Sequence, residues 1–218
     1  MDFTLAIVSL VILIFSAILH EIAHGFVAER LGDPTARLAG RLTLNPKSHI
    51  DPLMSIALPL ILLISGSPII IGAAKPVPVD PFNLRDGRKD LAIVSLSGPL
   101  TNILLAVIAS FAIKLIALMN PLSQSVGIFE LLIFLKLFLT VVVQLNLLLA
   151  IFNLLPIPPL DGSKVFALLL PEKLANAFLS LGAIGIFIIF FLLLSPGELS
   201  LGRLIFTLLS FSERLLGL

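Results

Sequence analysis

The chain has 218 residues, 58% hydrophobic and only 12% charged, with a formal net charge of +1 and a mean hydropathy of +1.16. That is roughly half the charge content of a soluble domain, and the near-neutral balance argues against nucleic acid or an acidic macromolecule as partner. Cysteine, tryptophan and tyrosine are absent, which excludes disulfide frameworks, thiolate metal sites and thiol nucleophiles.

The first apolar run starts at Phe3 and leads through His20-Glu21-Ile22-Ala23-His24 to Ala28, so residues 3–28 are expected to form one membrane helix. With Met1-Asp2 in front of it and no basic lead, a cleavable signal peptide is not expected. A polar stretch, 30–48, follows, and partial alternation over Leu38–Leu44 suggests a short strand. Residues 50–74 are apolar but broken by Pro52, Pro59 and Ser65-Gly66-Ser67-Pro68. Prolines at 76, 78 and 81 make 75–81 stiff and extended. Residues 91–119 form a long apolar segment interrupted at Gly98-Pro99, 120–127 a turn, and 128–152 another span. Residues 153–162, with prolines at 156, 158 and 159, cannot be regular helix, and 174–194 spans again. The tail 198–218 carries Arg203, Glu213 and Arg214 and reads as an amphipathic interfacial helix or a poor last span. Lys114 and Lys136 read as snorkelling side chains.

His20 and His24 are four residues apart and therefore share one helical face. Two imidazoles so placed can grip one metal, with Glu21 as general base on its water. The alternative, an incidental match at a helix end, is weak here. The three ionisable residues sit in an apolar helix, where each is costly and functional by default. Zinc asks for a third protein ligand and leaves the fourth place to water. His49 is the chain's one other histidine. Asp161, held in Asn153-Leu154-Leu155-Pro156-Ile157-Pro158-Pro159-Leu160-Asp161-Gly162, is the stronger candidate. Alone it would read as a turn; beside a membrane HExxH it reads as a ligand.

The two motifs together resemble the site-2 protease family of intramembrane zinc metalloproteases. Leu31–Ala36, Gly40–Pro46, His49–Pro52, Ala74–Val79 and Ser97–Asn102 resemble its short bacterial and archaeal branch, which lacks PDZ and CBS domains. The likeness covers about residues 5–170. It implies one Zn2+ per chain on His20, His24 and Asp161, with Glu21 as the catalytic base. Asn102 and Asn153 are polar residues at membrane depth. They read equally as interhelical hydrogen-bond donors and as holders of substrate backbone. His49 reads as orienting substrate or as an ordinary loop histidine.

Eight of the fourteen basic residues lie between Arg30 and Lys89, and none in 120–127. The positive-inside rule places 30–90 in the cytoplasm, so 50–74 must enter and leave on one side as a re-entrant hairpin. Parity agrees: with that hairpin, Asp161 emerges on the side of the histidines. The expectation is an all-α multi-pass protein of the cell membrane, a single domain over 1–218 with a catalytic core at about 3–170 and accessory helices at about 174–218. It has four spans, a re-entrant element and a small β-like segment. Its active site faces the cytoplasm, and its partners are transmembrane protein substrates and the lipid bilayer. The rival readings are a metal transporter and a metal-binding scaffold without protease activity.

Overall fold

The computed structural model describes residues 3–51, 57, 61, 64, 75–119, 126–195, 197 and 200–218. Helix α1, Phe3–Arg30, has 28 residues and is roughly 42 Å long at 1.5 Å per residue. Its apolar run contains no proline, and it stops where Gly32 takes φ +114°, a value β-carbon-bearing residues avoid. The single turn α2, Thr35–Leu38, follows. Helix α3 is Gly87–Met119 and α4 is Val126–Asn153. Shorter helices follow: α5, Asp161–Ala167; α6, Glu172–Leu179; α7, Gly182–Leu194; and α8, Leu201–Leu215.

Helices α1, α3 and α4 are long and apolar enough to cross a membrane. The expected fourth span, 174–194, is two helices bent by 70° at a short break. Ala106, Ala109 and Ile113 of α3 pack on Val143 and Leu147 of α4. Small residues there let the backbones approach, as membrane helices require. Phe111, Phe134, Leu137, Phe187 and Phe191 are exposed, an outward apolar surface suited to lipid. The tail does not leave this bundle. Leu201 and Ile205 of α8 join Leu155 and Ile189 in a buried cluster, while Leu209 and Leu216 pack on the α3–α4 core.

Three expectations change. Residues 38–44 are not a strand: they are the end of α2, a turn at Ala39-Gly40 and bends, and no strand occurs among the described residues. The physical reason is local pairing. Arg41 N–H returns to the Ala36 carbonyl, and its guanidinium donates to the carbonyls of Lys75 and Pro76 at 2.7 and 3.2 Å. Second, α3 runs unbroken through Pro99, since a membrane helix packed on its neighbours tolerates one missing N–H. Third, α4 reaches Asn153 and α5 starts at Asp161, so the irregular segment shrinks to 154–160. The re-entrant element expected at 50–74 falls outside the described residues except at 50, 51, 57, 61 and 64, and the turn at 120–127 does so up to residue 125.

Asp33 fastens the loops that reach the site. Fully buried, its carboxylate accepts from the N–H and hydroxyl of Thr35, from Asp80 N–H at 2.7 Å and from Asn83 Nδ2 at 3.0 Å. The extended segment 75–80 is thereby tied to the end of α1. At the other side, Arg88 of α3 donates to the carbonyls of Ala167 and Leu170 and closes the C-terminal end of α5.

Candidate metal centre

His20 and His24 lie on one face of α1, and Asp161 opens α5 after the proline-rich turn. Their side chains converge although Asp161 is 141 residues from His20. Asp161 Oδ2 is 3.2 Å from His20 Nε2 and 3.1 Å from His24 Nε2, and the two Nε2 atoms are 3.0 Å apart. All three residues are buried. A tetrahedral site with ligand distances of about 2.0–2.1 Å needs donor atoms about 3.3 Å apart. The triangle fits one zinc-sized ion with a slight outward relaxation, and two imidazoles with a carboxylate are a donor set that zinc accepts. Among the described residues this is the one group of three or more such side chains close enough to hold a metal ion.

Both imidazoles are oriented from behind. His20 Nδ1–H donates to Asn102 Oδ1 at 2.6 Å, and His24 Nδ1–H donates to the Val94 carbonyl at 2.7 Å. Each ring therefore turns an unprotonated Nε2 toward Asp161, and such partners fix tautomer and ring angle at metal sites. Lys164 Nζ sits 3.1 Å from Asp161 Oδ1, the oxygen turned away from the histidines.

The site opens on a cavity of about 780 Å³, lined among others by His20, Glu21, His24, Val77, Asn153, Pro158, Asp161 and Lys164. Glu21 is half-buried, and its Oε2 accepts from the Val77 N–H at 2.7 Å. Asn153, the last residue of α4, donates from Nδ2 to the Leu149 carbonyl and lines the cavity. Asn102 is fully buried behind His20 and does not line the cavity. His49 is buried in the loop before residue 50. Its Nε2–H donates to the Thr43 carbonyl at 2.8 Å, and it is part of neither the donor triangle nor the cavity wall.

The model of peptidase family M50 matches residues 8–195. The chain belongs to peptidase family M50. The Bacillus subtilis protein named "Putative zinc metalloprotease YwhC" is 36% identical to it over 187 residues, 84% of this chain and 78% of that one. Rip2 of Mycobacterium tuberculosis, of the same designation, is 34% identical over 149 residues. That alignment takes in 67% of this chain and about half, 51%, of Rip2. MJ0611 of Methanocaldococcus jannaschii is 42% identical over 72 residues, a third of either chain. Among solved structures no significant match was found. With three helices among the described residues long and apolar enough to cross a membrane, this M50 peptidase is a membrane zinc metallopeptidase, and the transporter and scaffold readings are not favoured.

Sequence reasoning missed several residues that build the M50 peptidase's candidate site. Asn146 of α4 is fully buried; its Oδ1 accepts from Asn102 Nδ2 at 2.9 Å, and its Nδ2 donates to Ser16 Oγ at 2.9 Å. A lone asparagine in an apolar helix was the available signal. Gly98 was noticed as a helix breaker, yet its role is to bring α3 against the imidazoles. Val77 and Lys164 carried no signal before the chain was folded.

Proposed function

We propose that this chain cleaves membrane-protein substrates within or beside their transmembrane segments, using one Zn2+ held by His20, His24 and Asp161. When bound, zinc supplies Lewis acidity that brings the pKa of water toward 7 and polarises a carbonyl. The remaining work belongs to the chain. Val77 N–H holds Glu21 Oε2, which fixes the carboxylate in the wall of the cavity that His20, His24 and Asp161 also line. Glu21 takes a proton from the attacking water and returns it to the leaving amine nitrogen. Asn102 and the Val94 carbonyl hold the histidine rings so that their Nε2 lone pairs face inward.

The segment that is cut must be extended, because a helix hides its carbonyls in its own hydrogen bonds. The edge offered to such a segment is 75–80, with the Val77 N–H itself held by Glu21. Val77 and Val79 line the cavity, and the prolines at 76 and 78 have no N–H to offer on the opposite edge. Asn153, beside them in the cavity wall, is suited to a polar contact with substrate backbone. The basic residues of 30–48 and 85–89 favour a cytoplasmic orientation for this end of the bundle, with the bent pair α6–α7 as the fourth span.

The observation that carries the proposal is the meeting of three donor atoms 3.0–3.2 Å apart beside Glu21. The test uses the purified full chain in detergent with a fluorescent transmembrane-helix substrate, and zinc is measured in the same samples. Glu21→Gln keeps size and reach but cannot accept the proton. It is expected to retain zinc and to lose about 10²–10⁴-fold in cleavage rate. A Glu21→Gln protein cutting at the wild-type rate defeats the mechanism.

A further inference from the structure

Among the described residues, Lys164 is the one lysine or arginine lining the cavity. It lies on the first turn of α5, three residues after Asp161, and its ammonium pairs with Oδ1 at 3.1 Å while Oδ2 alone faces the two histidines. The pair is well placed to persist. Asp161 is buried, Lys164 is one-third exposed at 33% of its side-chain surface, and α5 itself is clamped at its far end by Arg88.

A carboxylate can give a metal one oxygen or two. If Asp161 gave both, the second would occupy the position that a hydrolytic zinc site leaves to water. We propose that Lys164 is a positioning residue that holds Asp161 to one-oxygen ligation: by binding Oδ1 it keeps the fourth position of the metal open on the Glu21 side. The inference rests on the ligand set proposed above. It needs no proton transfer from Lys164 and no contact between Lys164 and substrate. An arginine at 164 can also engage Oδ1, whereas a methionine keeps the stem and loses the donor.

The test is the ligand-field spectrum of the full chain in detergent with Co2+ in place of zinc, since Co2+ absorption reports coordination number. Wild type and Lys164→Arg are expected to give the intense visible bands of a four-coordinate ion. Lys164→Met and Lys164→Leu are expected to bind Co2+ with most of that intensity lost, as Oδ1 joins the metal. Loss of charge alone changes affinity without changing the band pattern, so the readout separates positioning from electrostatics. Lys164→Met and Lys164→Leu spectra matching wild type overturn the proposal and leave the metal site standing. Failure of the wild-type chain to bind Co2+ at all overturns the ligand set, and this proposal with it.

Discussion

Gly98 lies directly against the imidazoles of both His20 and His24: a β-carbon built on it would come within 2.6 Å of Cε1 of each ring. Real contacts of that kind are not made, so a side chain at 98 must push the rings or part α3 from α1. Gly98→Ala is expected to weaken zinc binding by about 10–100-fold, the range seen when groups behind metal ligands are disturbed. Chelator competition measures it. Unchanged affinity would mean that α3 can yield at Pro99 without moving the rings.

Asn102 and Asn146 share one hydrogen bond at 2.9 Å, with Ser16 at the far end. Asn146→Leu leaves a buried amide and a buried hydroxyl without their partner, at a cost of about 1–3 kcal/mol. Its thermal unfolding in detergent is expected at lower temperature, with weaker zinc retention through Asn102. The double variant Asn102→Leu/Asn146→Leu should cost less than the sum of the two, because both single changes break the same bond. Strict additivity would show that the two asparagines act independently.

Asp33 supplies a pH dependence remote from the His20–His24–Asp161 triangle. Burial pushes its carboxyl up, but hydrogen bonds from Thr35, Asn83 and Asp80 outweigh this and hold it below the ordinary value. Its folded pKa is depressed, so its contribution is fully present above the unfolded value of about 3.9 and is lost as pH falls through the folded value. Wild-type stability is expected to fall on acidification through that window, and Asp33→Asn should flatten the dependence there. Parallel acid unfolding curves for the two proteins would remove Asp33 as the cause.

Orientation is open to thiol labelling, since the chain has no cysteine to remove. In intact cells a membrane-impermeant reagent is expected to label Leu118→Cys, at the exposed end of α3, and to spare Asn83→Cys until the membrane is opened. Labelling of Asn83→Cys from outside would reverse the proposed orientation.

The HExxH helix and the Asp161 turn were legible because each announces itself locally, by ligand spacing or by prolines beside an acidic residue. The three long helices were legible as apolar runs. Other features were not. Leu38–Leu44 alternates like a strand, but an alternating pattern needs a partner edge, and Arg41 and Gly40 turn the backbone back on α2 instead. Gly98-Pro99 reads as a break because the sequence does not display the two imidazoles against which that glycine packs. Lys164 and Val77 are ordinary residues whose placement depends on contacts across 3 and 56 positions of chain. His49 satisfies a motif and ends as a clasp on Thr43, since spacing says nothing about which way a loop side chain turns.

Ser16, Asn102 and Asn146 come from three different membrane helices and meet at one depth. Uniformly apolar helices can slide past one another in lipid at little cost, because every height offers the same contacts. These three do not have that freedom. A one-residue slip of α4 carries Asn146 about 1.5 Å along the axis and about 100° around it, away from both partners and into hydrocarbon that offers no replacement. The asparagine therefore works as a depth gauge for the assembly. His20, one turn further along α1 from Ser16, takes its alignment with Asp161 from a contact that touches neither metal nor substrate.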